Sequence, residues 1–74
     1  MKKFEKIFLF QKSPLDDNVY FIYKKRLLFH KQCVAIFKIY TRKMNNNLRF
    51  IKVLSESECS FIQEKCDDLM FESL

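Results

Sequence analysis

The chain predicts an α+β domain of order strand-strand-strand-strand-helix: a four-stranded, mainly antiparallel sheet followed by one C-terminal amphipathic helix (ββββα). Three observations carry this expectation. Runs rich in β-branched and aromatic residues recur at 2–11, 19–23, 33–41 and 48–54. Turn-forming residues separate them. A serine capping signal at Ser55 then opens a segment with helical periodicity. With 74 residues, the chain has room for one domain, residues 1–74, and no second core.

Residues 2–11 place Phe4, Phe8 and Phe10 on one parity and Ile7 and Leu9 on the other, which reads as a strand. Ser13-Pro14 and Asp16-Asp17-Asn18 bound it with a turn. Residues 19–23 favour a second strand, extendable through Lys24-Lys25-Arg26 into Leu27-Leu28-Phe29. A helix competes for this segment, with Ser13 as N-cap, Pro14 at its first position and Leu15, Val19, Ile22 and Tyr23 on its apolar face. Arg26 and His30 continue that face poorly, but the helix defines the alternative order βαββα. The third strand, 33–41, is the clearest, and a loop from Arg42 to Asn47 joins it to the fourth in a hairpin. The chain has no glycine, so its turns rely on Asn and Asp, which tolerate the left-handed conformation better than other residues.

Ser55-Glu56-Ser57-Glu58 is a capping box, with Leu54 and Cys59 placed for a hydrophobic staple, and predicts a helix over about 56–72. At 100° per residue, Cys59, Ile62, Cys66, Leu69 and Met70 fall on one stripe, opposite Ser60, Glu64, Asp67, Asp68 and Glu72. Phe61 falls about 130° from the centre of that stripe, beside Lys65 and Asp68. It reads either as packing on a strand or loop, or as an exposed anchor for a partner.

Composition narrows the function classes. Hydrophobic residues at 49% and aromatics at 16% are too many for intrinsic disorder. The longest apolar runs, 19–23 and 33–37, are five residues each, far short of the roughly 20 residues that cross a bilayer as a helix. Met1-Lys2-Lys3 begins like a signal peptide, but Glu5 and Lys6 interrupt and no small-residue cleavage site follows Ile7 to Phe10, so secretion is not expected. Cys33, Cys59 and Cys66 cannot all pair within one chain and lack zinc-type spacing, which fits a reducing, cytoplasmic setting. Cys59 and Cys66 lie about 10.5 Å apart along a helix, too far to bridge. His30 is the one histidine, Asp16-Asp17 and Asp67-Asp68 lack a calcium-loop context, and no phosphate-cradling loop is available without glycine. The expectation is a non-enzymatic protein with no cofactor, no metal and no small-molecule substrate. Eleven Lys against three Arg, with nine Phe, six Ile and one Ala, is the bias of an AT-rich genome. Such a short chain suits a phage-, virus- or mobile-element-type regulator or inhibitor that occupies a host protein's surface.

Charge is unevenly divided. Through residue 54 there are 13 Lys and Arg against three acids, a net +10; from residue 55 one Lys stands against six acids, a net −5. The sheet is basic and the helix acidic. One helix covers one sheet face, yet the third strand is apolar on both: Cys33, Ala35, Phe37 and Ile39 on one parity, Val34, Ile36 and Tyr40 on the other. Ile7, Leu9, Tyr20, Ile22, Ile51 and Val53 are candidates to join the second, with Lys24, Lys38, Arg42 and Arg49 interleaved unless a bulge changes parity.

Two function classes follow. In the first, Val34, Ile36 and Tyr40, with Phe61 in its anchor reading, or an edge strand, dock on a protein with an acidic surface or on a second copy in a homodimer. In the second, Tyr20 and Tyr40 stack on nucleic-acid bases while Lys24, Lys38, Arg42 and Arg49 neutralise phosphates. Few arginines and no RNP-type motif weigh against the second.

Overall fold

A computed structural model of the chain describes residues 2–26, 30–40 and 45–73. The elements run α1 (Lys2–Ile7), β1 (Phe8–Lys12), β2 (Val19–Lys25), β3 (Lys31–Tyr40), β4 (Asn45–Phe50) and α2 (Glu56–Ser73). The strands form one antiparallel sheet in the order β1-β2-β3-β4. This is the ββββα arrangement that the sequence predicts, preceded by a short helix that it does not. Because Val19–Lys25 is a strand paired on both sides, the βαββα alternative falls.

The first correction lies at residues 2–7, which are helical rather than the start of a strand. Phe4, Ile7 and Phe8 satisfy the i, i+3, i+4 spacing as well as an alternating one. Tertiary packing decides between them. As a helix, α1 sets the Phe4 ring 6.1 Å from Phe8 and 5.5 Å from Phe61. The second correction is β4, which spans Asn45–Phe50 rather than 48–54. Asn45, Asn46 and Asn47, expected in the loop, pair instead with Tyr40, Ile39 and Lys38. The chain then bends, and the amides of Ile51 and Lys52 both donate to the Val34 carbonyl, at 2.8 and 3.3 Å. Ile51 and Val53 are exposed beyond the strand end and join neither sheet face. Leu27, Leu28, Phe29 and Arg42 lie outside the described residues.

The β1–β2 turn closes without glycine. The Asp16 carboxylate accepts from the Asn18 amide at 2.9 Å, the Ser13 hydroxyl accepts from the Leu15 amide at 3.2 Å, and the Ser13 amide donates to Val19 at 2.8 Å.

At the start of α2 the capping box forms as predicted. The Glu58 amide donates to Ser55 Oγ at 3.2 Å, and the Ser55 amide donates to Glu58 Oε1 at 3.0 Å. Replacing Ser55 by alanine leaves one first-turn donor without its side-chain acceptor, and should lower stability by about 1 kcal/mol. Urea denaturation of the variant checks this; an unchanged midpoint would show that the hydroxyl contributes nothing.

The predicted helix stripe packs on the sheet, with Ile62 and Cys66 wholly buried and Cys59, Leu69 and Met70 half-buried. Phe61 is buried as well, at 7% exposure. Its ring contacts Phe4 of α1 at 5.5 Å and Phe8 and Phe10 of β1 at 5.8 and 6.5 Å. The exposed-anchor reading of Phe61 is therefore corrected. An apolar residue 130° off the stripe would face solvent beneath a single sheet, but α1 rises beside α2 and covers it.

Candidate functional site

Register assigns each strand residue to a face. Contacts to the helices fix Phe8, Phe10, Tyr20, Ile22, Lys24, Ala35 and Phe37 on the covered side: Phe8 and Phe10 meet Phe61, Lys24 meets Glu58, and their cross-strand partners follow. The other side carries Leu9, Val19, Phe21, Tyr23, Cys33 and Ile36 in contiguous cross-strand pairs, among them Leu9 with Tyr23, Tyr23 with Cys33 and Phe21 with Ile36. Neither α1 nor α2 lies over these residues. Leu9 is exposed and the other five are half-buried.

Around this apolar centre stand Lys25, Lys31, Lys38 and Arg49, placed on the same side by their pairings. Lys31 reaches inward, its Nζ 4.7 Å from the centroid of the Tyr23 ring. Among the described strand residues that this register puts on the open face, none is acidic.

Several sequence-derived positions change sides. Val34 is wholly buried and does not line the open face with Ile36. The cause is a bulge: Ile22 pairs with Ala35 while Tyr23 pairs with Cys33, so Val34 is the extra residue and turns inward beside Ala35. The same irregularity carries Cys33 to the open face. Ile36 lies on that face as expected. Tyr20, expected to offer its ring to a nucleic-acid base, faces the core side with its ring 6.4 Å from Phe37 and the Lys12 ammonium 5.7 Å away. Ile22 is wholly buried and Ile7 packs against the core from α1, so neither joins the open face. Tyr40 is at the end of β3, with its side chain outside the described residues. Of the proposed nucleic-acid set, Lys38 and Arg49 share the open face, whereas Tyr20 and Lys24 lie on the other.

Phe21 and Tyr23 are the residues that sequence reasoning missed. Both alternate with Tyr20 and Ile22 in an unbroken apolar run, so the run alone cannot say which parity faces the core. The registers of Leu9 with Tyr23 and Phe21 with Ile36 settle it.

Lys24 has a structural partner. Its ammonium lies 2.6 Å from Glu58, tying β2 to the first turn of α2. This contact, with the Ser55 amide second, holds the Glu58 carboxyl below its ordinary range. Since the folded value is depressed, the stabilisation is complete above the unfolded glutamate value of about 4.3 and fades as pH falls through the lower folded value. Wild type should thus exceed Glu58→Gln in stability by a constant margin at neutral pH that shrinks in acid. A margin independent of pH, followed by denaturation midpoints, would show that charge is not its source.

The three cysteines are free thiols, and burial, with the neighbouring Asp67 charge, pushes the Cys66 thiol up to about 12. It is a neutral core group at physiological pH. Among the described residues no cluster of three or more His, Cys, Asp or Glu is placed to hold a metal ion, and no described helix is long and apolar enough to cross a membrane. A groove of about 410 Å³ opens on the helix side beside β1, lined by Glu5, Phe8, Phe10, Phe61, Lys65 and Leu69. Compared with protein families, curated proteins and solved structures, the chain matches none.

Proposed function

We propose that this protein acts by binding rather than catalysis, docking its open sheet face on a protein whose apolar patch is edged with acidic residues. The observation that carries this reading is the pattern of the face: Leu9, Phe21, Tyr23 and Ile36 at the centre, Lys25, Lys31, Lys38 and Arg49 around them, and no acid among the described positions. An apolar centre supplies affinity, and a rim of one sign steers a partner of the opposite sign. A second copy presenting the same face would set cations against cations, which disfavours self-association there. Such a protein would work as a regulator or inhibitor by occupying a surface. Three free thiols favour a reducing, cytoplasmic setting.

Nucleic-acid binding is the second reading, favoured by two aromatic residues, Phe21 and Tyr23, among the same cations. Lys31 stands over the Tyr23 ring, where a base would stack, and the apolar remainder offers bases little.

A photo-crosslinker at position 36, with a control at the exposed helix position 64, tests both. The expected result is one acidic protein captured from position 36 and not from 64, lost when Lys38 and Arg49 become Glu. Tight, salt-sensitive binding of single-stranded oligonucleotides, abolished by those charge reversals, would replace the protein reading with the nucleic-acid one.

A further inference from the structure

We infer that two copies of this chain pair antiparallel through their β1 edges, Phe10 opposite Phe10, joining the two sheets into one. β1 is an outer strand, and its backbone already offers the pattern. The Ser13 amide donates to Val19 across β1–β2, so in an antiparallel ladder of this register Gln11 and Leu9 also point to β2, whereas Phe10 and Lys12 turn their N–H and C=O outward. An antiparallel pair centred on Phe10 matches these groups with themselves and sets Lys12 opposite Phe8 of the second copy.

Two further features choose this edge and this occupant. The first is the groove of about 410 Å³ beside the edge, with Phe8, Phe10, Phe61 and Leu69 in its lining. Phe10 of a second copy would arrive on the same side of the joined sheet and fill it. The second is charge. The antiparallel arrangement carries the turn after β1 in each copy past α1 of the other. That turn holds exposed Asp16 and Asp17, while α1 presents exposed Lys6 and directs its one acid, Glu5, to Lys65 of α2 at 3.3 Å. Leu15, 95% exposed in the single chain, comes to the same place, where Phe4 and Ile7 are half-buried. The opposite edge has no such match. The charged residues described on β4 and its flank, Arg49 and Lys52, are all basic, so pairing β4 with itself would meet only like charge.

The test is sedimentation equilibrium over a range of protein and salt concentrations. The expected result is a monomer–dimer equilibrium that weakens with salt. Lys12→Pro removes an outward N–H while leaving the β1–β2 hydrogen bonds in place, and should leave a folded monomer by far-UV circular dichroism. Asp17→Lys should raise the dimer dissociation constant about tenfold. Lys6→Asp should do the same, and the two together should restore the dimer. If the proline variant does not fold, the charge exchange decides alone. A monomer at every soluble concentration would overturn the inference, as would a dimer indifferent to the charge exchange. So would a dimer dissociated by Ile36→Glu, which would place the interface on the open face. Edge pairing is independent of what that face binds: Ile36→Glu should keep the dimer while losing the partner.

Discussion

Phe61→Ala should cost about 3 to 5 kcal/mol of folding stability, the range for truncating a core phenylalanine. Its ring is the hub of an aromatic cluster, in contact with Phe4, Phe8 and Phe10. Removing it opens a cavity that extends the neighbouring groove and loosens α1, which is only six residues long and is otherwise held by Phe4 and Ile7 on the core and by the Glu5–Lys65 ion pair. At about 0.05 to 0.15 kcal/mol per residue, a domain of this size has a total stability of roughly 4 to 11 kcal/mol. The loss is a large part of that total, so the denaturation midpoint should fall steeply, and with a parent stability at the lower end of the range the variant should be unfolded at 25 °C, the lost helicity visible by circular dichroism. A variant that keeps its denaturation midpoint but loses partner binding would instead make Phe61 a surface anchor.

Acidic substitutions at Val34 and Ile36, two residues apart in β3, should have opposite consequences. Val34 is wholly buried at the bulge, so Val34→Asp forces either an unpaired charge or an unpartnered carboxyl into the core. Several kcal/mol are at stake, enough to unfold the domain. Ile36 stands on the open face beside Phe21 and Arg49. Ile36→Glu leaves the core intact and meets a nearby cation, so it should fold with nearly the parent midpoint and lose only binding. Thermal denaturation of the two variants side by side separates them. Equal destabilisation would mean that both residues belong to the core.

The Val34 and Ile36 pair also marks how far the sequence can be read. Strict alternation puts them on one face, and no residue near Val34 announces the bulge that separates them. The bulge arises where the ladder between β2 and β3 shifts, and that shift belongs to two strands at once. Lys24 has the same origin: its place in the cation pattern of the sequence fits a binding surface, but register brings it to Glu58 and makes it a tie between sheet and helix.

Signals that complete themselves within a few residues were legible. The capping box needs only Ser55 and Glu58, and both hydrogen bonds form. The strands at β2 and β3 follow from local β-propensity, and the lower stripe of α2 from 3.6-residue spacing. By itself, then, the sequence determined a four-stranded antiparallel sheet, a capped terminal helix and a basic sheet apposed to an acidic helix. Only the tertiary structure decided that residues 2–7 coil into a helix, that Phe61 is core, and which side chains share the open face. Each of these depends on partners distant along the chain. The 2–7 segment fits two periodicities until Phe61 offers its ring, and a strand's faces have no inside or outside until a neighbouring register and a covering helix define them.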